Sequence, residues 1–291
     1  MLNIFKLLFL TFGVLFINDI KALETDWNYG NESQVRLISP ITHIENKSEI
    51  YLGLEYKLND GWKTYWKSPG DGGFPQEINF NESQNIKTLE VLWPTPKDFE
   101  ILGIQSIGYS KSVIFPLKII LNDSSKEANV NLDLNYLVCK HICIPGNAKL
   151  ELTIPNGNTN LTEHYFIIEK TLSQLPTKSL DISFIETIDS KAYLYDEIIS
   201  LELIANANTF FENPNIFLHT DYGLPVVKPE IILSPNSKNL KAVFKFKKNL
   251  ITKQLIKTHF VLSDKNQSII FEKNNQINSN NFSFKQSSLL I

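Results

Sequence analysis

Cysteine is scarce in this chain, which has two cysteines among its 291 residues, Cys139 and Cys143. A framework of structural disulfides needs several pairs, so this composition excludes one. A single bond between residues so close together adds little to folding, because the stabilisation by a cross-link falls with the length of the loop it closes. Fold stability is therefore a weak reason for the pair to be present.

Blocks of like charge and long apolar runs are also few. The formal net charge is −3, with lysines and acids interspersed, which excludes the basic stripe of a nucleic-acid-binding protein. Lys6 and the apolar residues 7–17 have the pattern of a signal peptide, and Ala22 is a candidate for the last residue before cleavage. The run is shorter than the roughly 20 residues that span a bilayer. We predict a signal peptide at residues 1–22 and an exported protein; because Ile20 fits the cleavage pattern poorly, an uncleaved anchor is the alternative.

Alternation of apolar and polar residues dominates the rest of the sequence. Residues 50–58 place apolar side chains at every even position, and residues 113–121, 130–138 and 150–154 also have the character of strands. Residues 69–75 are rich in glycine and proline and predict a loop. After residue 198, short strand patterns separated by Asn, Pro and Gly turns predict a second sandwich.

One segment has helical spacing instead. Leu161, Tyr165, Ile168, Leu172 and Leu175 recur on one helical face, Asn160 with Glu163 predicts a capping box, and Pro176 ends the run. We therefore expect an all-β protein whose two sandwich domains, residues 23–157 and 179–274, are joined by a linker helix within 158–178. Residues 275–291 are Asn- and Ser-rich and predict a flexible tail.

The cysteines lie where two predicted strands meet. Leu132, Leu134, Tyr136 and Val138 share one strand face, so Cys139 belongs to the other face. A three-residue spacer lets the chain turn back and bring the sulfurs within bonding distance. Three interpretations remain open: a static disulfide or two unrelated buried thiols, a metal site, or a reversible disulfide.

The metal site would use Cys139, His141 and Cys143, a ligand set that suits Cu(I) or Zn but lacks a fourth ligand. For the reversible disulfide, Lys140 and His141 would favour a thiolate electrostatically. The aromatic residues Trp62, Tyr65 and Trp66 are expected in a core more often than on a partner surface.

Other motifs accompany this hairpin in a fixed order. They are an aromatic and glycine-rich stretch at residues 60–75, Leu-Trp-Pro at 92–94, Gly-Tyr at 108–109 and the cysteine segment at 137–145. In this combination the chain resembles the N-terminal periplasmic region of the DsbD family of thiol:disulfide interchange proteins, especially its suppressor-of-copper-sensitivity (ScsB) branch. The resemblance covers residues 27–155 well and the remaining helix and β domain more loosely.

The resemblance implies immunoglobulin-like β-sandwich domains and a redox function in the periplasm that needs no cofactor. A membrane-embedded thiol electron carrier would reduce the disulfide, and periplasmic thioredoxin-like proteins would receive the electrons. By position, Cys139 and Cys143 match the two catalytic cysteines, with Cys143 forming mixed disulfides and Cys139 resolving them. The family covers its disulfide with a loop of acidic and aromatic residues, which makes Phe99 and Glu100 cap candidates.

Two further features of the chain bear on this function. Asp71 is a candidate for tuning the cysteine pKa values, although as a turn residue it needs no such role. Relatives of this kind continue into a multi-helix membrane segment and a thioredoxin-like domain, and the 291 residues contain neither. Either a separate membrane protein supplies the electrons, or the chain has another use, such as a non-enzymatic copper-binding or protein-interaction module with a structural disulfide.

Overall fold

Strands account for most of the computed structural model, which describes residues 22–70, 73–101, 103–178, 184–220, 227–250 and 254–279. The strands of the first part are β1 (Asn28–Tyr29), β2 (Ser33–Ile38), β3 (Glu49–Leu58), β4 (Lys63–Gly70), β5 (Glu77–Asn79), β6 (Ile86–Val91), β7 (Lys97–Ile101), β8 (Ile104–Ser110), β9 (Ser112–Leu121), β10 (Ala128–Cys139) and β11 (Cys143–Ile154). The predicted strands at 50–58, 113–121, 130–138 and 150–154 lie inside β3, β9, β10 and β11, which confirms that period-two patterns marked them correctly.

These strands form two sheets that we call A and B. Sheet A has the order β1-β2-β3-β9-β6, and sheet B has the order β11-β10-β4-β8-β7, with β5 paired to β10. Apolar side chains from both sheets meet in one core, to which β3 contributes Leu52, Leu54 and Tyr56, and β10 contributes Leu134 and Tyr136. Packing of two sheets over alternating inward residues is the immunoglobulin-like sandwich that the sequence predicts.

Strand β4 continues through Pro69 to Gly70, so the predicted loop at 69–75 is wrong at its beginning. The strand accommodates these residues because its pairing with β8 is irregular between Tyr65 and Gly70. Gly70 has φ of 100°, a conformation that glycine adopts without a steric penalty. The irregular pairing therefore accommodates the proline and glycine at this end of the strand.

The second part of the chain forms one seven-stranded sheet, sheet C. Its strands are β12 (Ile185–Tyr195), β13 (Ile198–Ala207), β14 (Pro214–Thr220), β15 (Glu230–Leu233), β16 (Asn239–Lys247), β17 (Leu255–Asp264) and β18 (Gln267–Ser279). They follow the order β14-β17-β18-β12-β13-β16-β15 around a second apolar core. The fold is therefore all-β, with immunoglobulin-like β regions on either side of a short helix.

The prediction of a flexible tail from residue 275 is wrong for residues 275–279, because β18 extends through them. Asn275 is buried and its side chain bonds Thr258 and Ser190, while Ile277 pairs with Ala192 of β12. Polar composition misleads here because cross-strand partners satisfy the amide group.

The helix α1 (Tyr165–Ser173) begins later than the capping-box pattern predicts, with His164 rather than Asn160 at its N-cap. The preceding residues are held in an extended conformation: the Asn160 carbonyl accepts a hydrogen bond from the Thr42 amide, and Leu161 forms a bridge with Ile41. Tertiary pairing thus replaces the first predicted helical turn. Among the described residues, no helix is both long and apolar enough to cross a bilayer. Residues 1–21 of the predicted signal peptide lie outside the described part of the chain.

Candidate functional site

The two cysteines form a disulfide at the end of the β10–β11 hairpin. Cys139 and Cys143 lie directly opposite each other in the antiparallel register, with an S–S distance of 2.03 Å and a Cα–Cα distance of 4.1 Å. Within the three-residue turn, the Lys140 amide donates a hydrogen bond to the Ile142 carbonyl at 3.0 Å. The alternation of residues 132–138 predicted the side of the strand correctly, since Val138 belongs to the sandwich core and Cys139 to a separate cluster.

The two sulfur-bearing residues differ sharply in exposure. Cys139 is 0% exposed, whereas Cys143 is exposed, and the neighbouring Ile142 is 61% exposed. Strand order explains the difference: β10 lies between β11 and β4, while β11 is an edge strand of sheet B. An approaching thiolate therefore meets the Cys143 side of the bond.

A small apolar cluster, which we call the disulfide cover, encloses Cys139 on the outer face of sheet B. It consists of Tyr65 from β4, Phe99 and Ile101 from β7, and Leu137 from β10. The rings of Tyr65 and Phe99 have their centroids 6.2 Å apart, and the Lys63 ammonium lies 5.4 Å from the centre of the Phe99 ring. The cluster shields the buried sulfur from water and from small reductants that do not displace it.

The Tyr65 hydroxyl contacts the exposed sulfur of the disulfide. Its hydroxyl oxygen lies 3.8 Å from Cys143 Sγ. Burial raises the pKa of Tyr65, so the hydroxyl keeps its proton and is a donor near neutral pH. A donor at this place stabilises the thiolate that forms when the disulfide opens. Sequence reasoning assigned Tyr65 to a core, and its contact with the cysteine pair depends on the pairing of β4 beside β10.

Replacing Tyr65 with phenylalanine removes this donor and keeps the ring. We expect the pKa of the Cys143 thiol in the reduced protein to rise, because a hydrogen bond to the charged form is lost. Alkylation near neutral pH should slow by about two- to tenfold, the range for one hydrogen bond of about 0.5–1.5 kcal/mol. The measurement is the rate of iodoacetamide alkylation against pH. Tyr29→Phe, at an exposed tyrosine, is the matched control, and an unchanged thiol pKa in Tyr65→Phe would contradict the assigned role.

The other candidate residues lie at varying distances from the bond. Phe99 belongs to the disulfide cover, whereas Glu100 is exposed; because Phe99 and Ile101 on either side face the cluster, strand alternation turns Glu100 away from it. The Lys140 ammonium donates a hydrogen bond to the Asp60 carbonyl at 3.1 Å, and His141 is exposed. Electrostatic roles for Glu100, Lys140 and His141 stay predictions. Asp71 lies outside the described residues.

A metal site at the hairpin would need the disulfide reduced, because the bonded sulfurs are not thiolate ligands. Elsewhere in the described part of the chain, Glu24, Glu163 and His164 bring potential ligand atoms within 4.8 Å of one another. The Glu24 carboxylate already contacts Arg36 at 2.5 Å and the His164 ring at 2.6 Å. This group therefore forms a charge-compensated link between the residues before β1 and helix α1.

Known proteins share both this hairpin region and the wider fold. Residues 34–155 match the family model described as the N-terminal region of thiol:disulfide interchange protein DsbD. The crystal structure of the N-terminal periplasmic domain of ScsB from Proteus mirabilis has a TM-score of 0.70 at 23% sequence identity, covering 88% of this chain and 99% of that chain. The reduced DsbD N-terminal domain of Neisseria meningitidis gives a TM-score of 0.24 at 12% identity, covering 43% of this chain and 89% of that chain. No curated protein sequence matches the chain at a significant level.

The ScsB structure shares the fold of nearly the whole chain, both β regions included, and the family match spans the strands that carry the cysteine pair. The chain is accordingly a thiol–disulfide interchange module with one cysteine pair. Residues 34–155 match the family of DsbD N-terminal domains, as the motifs indicated, and the chain shares its fold with the N-terminal periplasmic domain of ScsB.

Proposed function

We propose that this protein relays electrons in the periplasm, from a membrane-embedded thiol carrier to thioredoxin-like proteins, through reversible opening of the Cys139–Cys143 disulfide. The observation that carries this proposal is the asymmetry of the bond: Cys143 is exposed at an edge strand, and Cys139 is buried beneath the disulfide cover. This arrangement gives a partner one accessible sulfur, Cys143, and leaves Cys139 to resolve the mixed disulfide.

The reaction follows thiol–disulfide exchange in both directions. In reduction, a carrier thiolate attacks Cys143 Sγ, the S–S bond breaks, and Cys139 leaves as a thiolate that takes up a proton. The second carrier thiol then loses its proton and attacks the first carrier sulfur in the mixed disulfide, which releases Cys143 as a thiolate. Two electrons have then moved to this protein, and the carrier holds a disulfide. In delivery, the Cys143 thiolate attacks the disulfide of an oxidised partner, and Cys139 resolves the mixed disulfide.

The chain supplies the groups that this chemistry needs without a cofactor. Tyr65 offers a donor to the Cys143 thiolate, and exposed Ile142 beside the bond provides an apolar contact for a docking partner. In this proposal residues 23–157 are the redox domain, and residues 158–178 and 179–274 are the linker and second domain. Periplasmic location is supported by the family and by the signal-peptide pattern of residues 1–22.

A redox titration tests the proposal. Equilibration of the protein with glutathione or thioredoxin mixtures, followed by thiol trapping, should show one two-electron transition at a potential within the range of protein disulfide carriers. A disulfide that stays closed at every ratio would contradict the proposal and indicate a purely structural bond. A reduced protein that binds one Cu(I) ion per chain tightly and does not cycle would instead favour the copper-binding module.

A further inference from the structure

Strand β14 of sheet C contacts the N-terminal sandwich through alternate residues. The Asn215 amide donates a hydrogen bond to the Asp98 carboxylate at 2.6 Å, the Phe217 ring lies 6.2 Å from the Trp66 ring, and His219 Nδ1 lies 2.5 Å from the Ser68 hydroxyl. Residues two apart in a strand share one face. One face of β14 therefore rests on β4 and β7 together.

The residues that β14 contacts stand next to residues of the disulfide cover. In β4, Trp66 follows Tyr65, and in β7, Asp98 precedes Phe99. Neighbouring side chains of a strand point to opposite faces, so β14 holds these two strands from the side away from the disulfide.

Further contacts join β7 and the residues just before it to the C-terminal β region. The Thr95 hydroxyl lies 2.6 Å from the Ser268 hydroxyl of β18, and the Lys228 ammonium lies 3.9 Å from the Asp98 carboxylate. Phe217 and Val261 from sheet C belong to the core of the N-terminal sandwich. The two β regions are thus joined by an apolar contact, and the polar pair Asp98–Asn215 lies at its exposed edge.

We propose that β14 acts as a clamp on the strands that carry the disulfide cover and so limits how readily the Cys139–Cys143 bond opens once a thiol attacks the exposed Cys143. Asp98 and Asn215 are positioning residues in this device. The proposal rests on the proposed exchange function for its biological meaning, since it assigns the C-terminal β region a regulatory role at that same bond. Its physical content is that the Cys139 sulfur must separate from Cys143 when the bond opens, and it is packed against Phe99 and Ile101. These side chains make room for it when β7 moves against β14.

The test measures reduction of the disulfide by dithiothreitol in the full chain. A dithiothreitol thiolate attacks Cys143, Cys139 leaves as a thiolate and is protonated, and the second dithiothreitol thiol closes its ring and frees Cys143. Asn215→Asp places a carboxylate against Asp98, so the rate should rise about three- to tenfold, as expected for one lost hydrogen bond plus like-charge repulsion at the surface. Combining it with Asp98→Asn restores a donor and an acceptor, and the rate should return to within about twofold of the unmodified protein.

Asn206→Asp is the matched control, because it removes an exposed asparagine amide that bonds Thr187 within sheet C. It should leave the rate unchanged, and all variants should keep the thermal midpoint of the parent within a few degrees. An unchanged rate in Asn215→Asp, or a raised rate that the paired exchange does not reverse, would overturn the clamp. Because dithiothreitol needs no protein partner, that failure is separate from failure to exchange with thioredoxin-like proteins, which would overturn the proposed function alone.

Discussion

Replacing Cys143 with serine should abolish capture of a thioredoxin-like partner in a mixed disulfide, and replacing Cys139 with serine should trap it. The expectation follows from exposure, because Cys143 is accessible and Cys139 is buried beneath Tyr65, Phe99 and Ile101. In Cys139→Ser, no second thiol resolves the bond, so the covalent complex accumulates. In Cys143→Ser, the buried thiol has no path to the partner sulfur.

The measurement is non-reducing electrophoresis with mass spectrometry, after each variant is mixed with an oxidised thioredoxin-like protein. The double serine variant is the control for non-covalent association. Normal electron exchange by both single variants would exclude the mechanism. Capture by Cys143→Ser but not by Cys139→Ser would reverse the assigned roles and would show that the disulfide cover opens fully when a partner docks.

Trp66→Ala should be the most destabilising single change at the junction of the two β regions. Trp66 is 1% exposed, belongs to the N-terminal core, and contacts Phe217 and His219 of β14. Removing a buried tryptophan side chain costs about 3–5 kcal/mol, because transfer free energy is lost and a cavity remains. We expect the free energy of unfolding of the N-terminal sandwich to fall by that amount and the contact with β14 to loosen.

Denaturant unfolding followed by circular dichroism measures this loss. Trp27→Ala is the control, because Trp27 packs at the surface against Arg36 and Lys57 and its loss should cost about 1 kcal/mol or less. Phe217→Ala removes the other side of the same contact, so the double variant should be less destabilised than the sum of the single variants. Strict additivity would mean that the two rings do not act together, and a loss near that of Trp27→Ala would mean that the site collapses without a cavity.

Part of the disulfide site could be predicted from the local sequence pattern. Alternation along residues 132–138 placed Cys139 on the face opposite Val138, and the short spacer placed both cysteines at one turn; both predictions agree with the structure. The resemblance to a known family pointed to Phe99, which lies in the disulfide cover. It also pointed to Glu100, which the alternation of β7 turns away from the cluster.

Errors arose where long-range pairing overrode local preference. The Asn160 capping box was a sound local pattern, yet residues 160–162 pair with residues 40–42 and delay the helix until Tyr165. The polar stretch after residue 274 lacked apolar alternation, yet buried side-chain hydrogen bonds of Asn275 hold it in β18. In both places the decisive partner is distant in sequence.

The sequence by itself determined that the segments with alternating apolar residues become strands, on which strand face Cys139 lies and that both cysteines lie at one turn, because side-chain period and spacer length are local properties of the chain. Tertiary structure alone decided which sulfur is exposed, that Tyr65 lies beside Cys143, and that β14 rests behind the disulfide cover. Those features depend on strand order, and an alternating pattern specifies a buried face without specifying the strand that covers it.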